Sequence, residues 1–237
     1  MVLTRHNIEV ESTRLKYVGI LWNCFAPRLL NLKALVGSLW AANTDSSKPN
    51  FVFILTDDQG FSDVSWKNRQ VRTPNLDILR QSGLTIEGGY SQSRCTPTRM
   101  SLMTGRYPWN FGFDADGVIE TTGAAGIPTS ETLLPEYLKQ IGYDTHFYGK
   151  WHLGYCDDQL RPENRGFDTS FGFMGAGINY SSHTTSGATK YADYWNQGTF
   201  ETSSAYTTDD FVDKANIMLD QRISSSDSGC VEFRQSE

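Results

Sequence analysis

Three short stretches carry residue types that could do chemistry together. Asp57 and Asp58 follow at once on the apolar run Phe51 to Leu55. Adjacent carboxylates repel, and a hard divalent cation with oxygen ligands is the usual remedy, although one of the two could cap a turn while its neighbour is solvated. The second stretch is Ser93 to Tyr107, SRCTPTRMSLMTGRY. Pro97 suits a first helical turn and places Cys95 near the helix start, where backbone N–H groups favour an oxyanion and acidify a thiol. Arg99, four residues on, can add a forked charge to the same side. Cys95 itself could be a packing residue, half of a disulfide, a thiolate nucleophile or the precursor of another group. A thiolate phosphatase loop needs a longer interval between cysteine and arginine, so that alternative fails. The third stretch is GKWHLGY, Gly149 to Tyr155. Strand alternation would point Lys150 and His152 the same way, one to bind an anionic ester and the other to move a proton. Taken singly, each is also compatible with a surface lysine and a satisfied loop histidine.

The elements around these stretches alternate strand and helix. Phe51 to Leu55 lacks period-2 alternation and reads as a strand buried on both faces. TPNLDILRQSG, from Thr73 to Gly83, carries a cap candidate, Pro74 in the first turn and a terminating glycine. Leu84 to Tyr90 reads as a short strand, Pro97 to Thr104 as a helix closed by Gly105, Thr132 to Ile141 as a helix and Tyr143 to Tyr148 as a strand. Gly172 to Tyr206 reads as loop with short strands. Asp209 to Arg222 has helical spacing of Phe211, Ala215, Met218 and Leu219. After it, SSSDSGCVEFRQSE is polar and carries no element, which leaves the sheet incomplete. The pattern implies an α/β fold with a mostly parallel sheet, whose carboxyl edge is the place for a site.

A net charge of -6 with scattered Lys and Arg argues against nucleic-acid binding. The four cysteines, Cys24, Cys95, Cys156 and Cys230, show no C-x-x-C pair and make no disulfide framework. Leu29 to Ala42 is an apolar segment ending in small residues, similar to a signal-peptide core and too short and interrupted for a stable membrane span. Together with the sequon at Asn179, a possible N-glycosylation site, this points to the secretory pathway, with a lysosomal or extracellular destination.

The motifs C-T-P-T-R with S-L-M-T-G-R, and G-K-W-H-L-G, resemble the two signatures of the formylglycine-dependent, calcium-binding sulfatases. The order of motifs is most similar to the arylsulfatase B (N-acetylgalactosamine-4-sulfatase) type. The resemblance implies the alkaline-phosphatase-like sulfatase fold, in its N-terminal portion. It also implies hydrolysis of a sulfate ester, here of a glycosaminoglycan, through a formylglycine made from Cys95 by the formylglycine-generating enzyme. Arg99 would then steady the modified residue, and Lys150 would hold the sulfate ester. His152 would stabilise the hydroxyl of the modified residue and take part in proton transfer. Asp57, Asp58 and the modified Cys95 would bind Ca2+.

The same resemblance implies a second Asp-Asn pair of metal ligands, a later histidine and lysine at the sulfate and a small C-terminal domain, none of which has a counterpart here. The expected organisation is a leader over 1–48, the N-terminal part of a catalytic domain over 49–223 and a divergent polar tail over 224–237. A truncated chain of this kind is expected to bind metal weakly and to show little activity alone; the alternative is an inactive sulfatase-like product with a binding role.

Overall fold

The computed structural model describes residues 2–4, 15–21, 50–114, 117–185, 189–225 and 230–236. The strands are β1 (Val2–Thr4), β2 (Leu15–Leu21), β3 (Asn50–Thr56), β4 (Gly83–Thr85), β5 (Asp144–Lys150), β6 (Thr169–Phe173), β7 (Trp195–Asn196), β8 (Thr199–Phe200) and β9 (Cys230–Ser236). The helices are α1 (Pro74–Ser82), α2 (Cys95–Thr104), α3 (Leu134–Gln140) and α4 (Thr207–Ser225). Among the described residues the strands form one sheet in the order β4-β1-β2-β3-β9-β5-β6-β7-β8.

The α/β expectation holds, but the sheet is mixed. Its five central strands, β2, β3, β9, β5 and β6, run parallel, while β1, β4, β7 and β8 join the two flanks antiparallel. The carboxyl ends of β3 and β5 therefore share one edge. Period-2 alternation along β5 sends neighbouring side chains to opposite faces. Phe147 packs with Met100 and Met103 of α2, Leu133, Trp151 and Phe167 on one side. Tyr148 packs with Phe171, Phe173, Tyr194 and the α4 residues Phe211, Ala215 and Met218 on the other. Burial of an aromatic or large aliphatic side chain contributes about 1.5–3 kcal/mol, so these two layers clamp β5 from both sides.

Two expectations need correction. The tail was expected to lack an element, yet Cys230–Ser236 forms β9 and pairs with both β3 and β5, so the sheet is continuous across its centre. Low overall apolar content hid the strand, whereas Val231-Glu232-Phe233-Arg234 has the apolar/polar alternation of one. The strand expected over Leu84 to Tyr90 shrinks to Gly83–Thr85. Leu15–Leu21, within the stretch assigned to a leader, pairs parallel with β3, and the signal-like segment from Leu29 to Ala42 lies outside the described residues. No described helix is long and apolar enough to cross a membrane.

Candidate active site

The site forms where β3 and β5 end beside the start of α2. β3 delivers Asp57 at the edge, and Asp58 follows in a left-handed conformation with φ of 54°. α2 begins at Cys95 and ends where Gly105 adopts φ of 67° and donates its N–H to the Ser101 carbonyl. Its Thr96, Pro97, Thr98, Arg99 and Met100 are all buried, so the helix start is sunk into the protein and not laid on its surface. Cys95 is thereby brought to Asp57, with Sγ 3.4 Å from Oδ1.

Asp57 is the hub. Its Oδ2 accepts from Arg99 Nη2 at 2.9 Å and from Lys150 Nζ at 3.0 Å, and all three side chains are at least nine-tenths buried. Arg99 Nη1 also donates to the Lys150 carbonyl, so the guanidinium fork fastens α2 to both strands. Burial raises the Asp57 pKa, but the Arg99 and Lys150 charges outweigh it and hold the carboxyl down at about 2. The Cys95 thiol moves the other way. Burial, with the Asp57 charge adding to it, pushes it above its ordinary value despite Lys150 nearby. The thiol is therefore not acidified as expected of a helix start, because desolvation of the thiolate and the Asp57 charge outweigh the Lys150 charge.

His152 reaches the site by a different route from the strand pleat. β5 ends at Lys150, two residues before His152, and His152 has φ of 54°, so strand alternation does not orient the pair. The residue is fixed from several sides. Its backbone N–H donates to the Met174 carbonyl at 3.0 Å, and its backbone carbonyl accepts from Thr96 Oγ1 at 3.1 Å. Thr96 Oγ1 in turn accepts from the Ile119 N–H, while His152 Nε2 lies 2.9 Å from the Ile119 carbonyl. A carbonyl can only accept, so Nε2 carries the proton and Nδ1 is left with its lone pair. That Nδ1 is buried without a hydrogen-bond partner among the described residues. Burial, with the Lys150 charge next, lowers the His152 pKa to about 4.

Gly154 completes this corner. With φ of 104°, a Cβ there would lie 2.6 Å from Gly126 Cα and 2.8 Å from the Ala125 carbonyl oxygen. Only glycine lets the turn after His152 approach that loop so closely.

The structure thus gathers Asp57, Cys95, Arg99, Lys150 and His152 at one edge. Donor atoms of Asp57, Asp58 and Cys95 lie within 4.8 Å of one another, a partial oxygen-rich set that suits a hard cation. Asn179 lies outside this cluster, exposed in the loop after β6. Sequence reasoning did not find Ile119, which holds His152 and Thr96 through its backbone, or Asp193, whose carboxylate accepts from the Met174 and Gly175 N–H groups behind His152, and no residue-type pattern marks either.

Comparison with known proteins agrees with this arrangement. The Sulfatase family model matches residues 49–226. Mouse arylsulfatase J is 40% identical over 154 residues, covering 65% of this chain and 26% of that protein. Mouse N-acetylgalactosamine-6-sulfatase is 38% identical over 157 residues, covering 63% of this chain and 30% of that protein. The chain thus spans about a quarter to a third of the relatives it matches. The crystal structure of Ps i-CgsB superposes with a TM-score of 0.69 at 28% identity, covering 81% of this chain and 45% of that one. The PsFucS1 sulfatase from Pseudoalteromonas sp. shares the fold, with a TM-score of 0.60 at 21% identity over 89% of this chain and 48% of that one. The fold is the alkaline-phosphatase-like one of these neighbours. These relatives do not single out the arylsulfatase B subtype. With three-quarters of its length matched by one family model and its half-buried cysteine and buried arginine, lysine and histidine gathered at one sheet edge, the chain belongs to the sulfatase family.

Proposed function

We propose that this chain carries the nucleophile side of a sulfuric ester hydrolase site, acting on sulfated sugars of the glycosaminoglycan kind. The observation that supports the reading most is the convergence of Cys95, Arg99 and Lys150 on Asp57, with His152 at the same edge, combined with a thiol whose raised pKa makes it a poor nucleophile as it stands. Such a cysteine is better suited as a precursor. Oxidised to formylglycine, Cys95 would supply a hydrated aldehyde, with one hydroxyl to attack sulfur and a second to release the sulfate afterwards. Calcium held by Asp57 and Asp58 would neutralise charge at that position, although the three donors gathered here fall short of the 6–8 oxygens it prefers. Weak binding is therefore expected of the described residues alone.

The chain's own residues then have distinct tasks. Lys150 and Arg99 present two buried cations to an anionic ester and to the charge that grows on its oxygens. His152 Nδ1, neutral and unprotonated near pH 7, offers a lone pair to a hydroxyl proton. The buried start of α2 keeps water from the Cys95 side of the site.

The test is hydrolysis of 4-nitrophenyl sulfate by the chain co-expressed with a formylglycine-generating enzyme, against Cys95→Ala made in the same way. Faster release by the parent supports the reading, and equal rates would overturn it.

A second part of the proposal concerns the compartment. Asn179 is exposed, and its Oδ1 accepts from the N–H groups of Ser181 at 3.0 Å and Ser182 at 2.9 Å. We take it as an N-glycan acceptor on a chain routed through the secretory pathway to lysosomes or the outside. Loss of a glycosidase-sensitive gel shift in Asn179→Gln is the expected result; a shift that persists in the variant excludes this site.

A further inference from the structure

Asp193 is a buried carboxylate in the loop between β6 and β7, 4% exposed, and no described ion pair neutralises it. Three N–H donors satisfy it instead. Oδ1 accepts from the Met174 N–H at 2.9 Å and from Trp195 Nε1 at 2.8 Å, and Oδ2 accepts from the Gly175 N–H at 2.8 Å. A carboxylate taken out of water at this depth persists only if its oxygens are saturated in this way. The backbone it grips is the one that holds the site histidine: the Met174 carbonyl accepts from the His152 N–H at 3.0 Å. The adjacent Trp151 N–H is likewise bound to the Phe173 carbonyl at 2.9 Å. The loop containing Asp193 is fastened further by its own N–H, which donates to the His183 carbonyl at 3.0 Å.

We infer that Asp193 is a positioning residue that fixes the Met174–Gly175 backbone and, through the Met174 carbonyl, sets where the His152 ring meets the Ile119 carbonyl. The physical reason lies in the strain at His152. A non-glycine residue with φ of 54° is held in a sparsely populated conformation, which costs about 1–3 kcal/mol and persists only when its surroundings over-determine it. Four contacts do so: Met174, Thr96 and Ile119 directly, and Asp193 behind Met174. Asp193 is the one that carries charge, and so grips its N–H donors more strongly than a neutral acceptor would. The charged groups that bear on His152 itself are Lys150, Arg99 and Asp57, none of which touches Asp193 among the contacts described. This inference rests on the reading of His152 Nδ1 as a proton acceptor.

The test reads the ring directly and needs no turnover. The full chain is prepared with ring-15N histidine, and the His152 signals are assigned by their absence in His152→Gln. At pH 7 the parent should show His152 as the Nε2–H tautomer. In Asp193→Asn, which keeps shape but loses charge and one acceptor, the Nε2–H fraction should fall and its signals broaden, while His146 keeps its shifts. Gly175→Ala is the milder second variant, because a Cβ there would lie 3.0 Å from Asp193 Oδ2 and displace the carboxylate without removing it. The same change at smaller amplitude is expected of it. A parent with the proton on Nδ1 would sink the proton-acceptor reading and this inference with it. A parent with Nε2–H, and a folded variant whose His152 signals are unchanged, would overturn the positioning role alone.

Discussion

Lys150 Nζ lies 3.0 Å from Asp57 Oδ2, although the two residues belong to the edges of strands that are not neighbours. β9 stands between β3 and β5, with Phe53 and Phe147 both opposite Phe233 in register. The spacing of the ion pair is therefore set by a central strand that supplies none of its charges. A proline at Glu232 would remove one donor from the middle of this ladder and break it. Glu232→Pro should lower the unfolding midpoint in urea and open Cys95 to alkylation. An unchanged midpoint would show that β9 does not bridge the two halves.

Asp57 and its two cations form a unit in which each member is buried. Removing the Asp57 charge takes away the anion that both Arg99 and Lys150 bind, and breaking a buried pair in this way costs about 3–5 kcal/mol. Asp57→Asn should therefore destabilise the chain more than Lys150→Met, since the latter leaves Asp57 paired with Arg99 at 2.9 Å. Urea unfolding of the two variants beside the parent measures the difference. The reverse order would mean that the guanidinium and ammonium are neutralised by something other than Asp57.

The contrast between what was legible and what was not follows the range of each interaction. α2 and its glycine cap could be read from Pro97 and Gly105 because helix start and stop signals are local. The common edge for Asp57 and Lys150 could be read because parallel strands put their carboxyl ends together. β9 was missed because seven residues with two apolar positions look like tail until a gap between two other strands needs filling. The Cys95 thiol was misjudged because burial of the helix start is a tertiary fact, and it opposes the local effect of the helix end. The geometry of His152 was unreadable for a related reason: its left-handed backbone is imposed by Met174, Thr96 and Ile119 from distant parts of the chain.

Stability should fall in two separate steps as the medium is acidified. His152 is depressed to about 4 from an ordinary 6.5, so between those values the unfolded chain binds a proton that the folded one refuses. Stability is then lost as pH falls from 6.5 towards 4, by roughly 3 kcal/mol if the whole shift is expressed. Asp57 is depressed to about 2 from 3.8, so its contribution is present above 3.8 and is lost as pH falls towards 2. Urea unfolding at pH 7, 5 and 4 should show the first step in the parent and a much flatter response in His152→Gln. Equal slopes in both would place the titration elsewhere.

Cys95 and Cys156 should differ in reactivity in a direction that burial sets. Cys156 is exposed, whereas Cys95 is half-buried, lies against the Asp57 carboxylate and has its thiol pKa raised. Thiolate is the reactive form, so an unmodified chain treated with iodoacetamide near neutral pH should label Cys156 first and Cys95 slowly. Removing the Asp57 charge takes away one of the influences that raise the thiol pKa, although burial and the Lys150 amine remain. In the folded Asp57→Asn variant, labelling of Cys95 should therefore quicken and its pH profile move down, with Cys156 unchanged. Peptide mass spectrometry after timed alkylation reads both sites at once. Faster labelling of Cys95 than of Cys156 in the parent would mean that the thiol is activated as it stands, and the precursor reading of Cys95 would lose its main support.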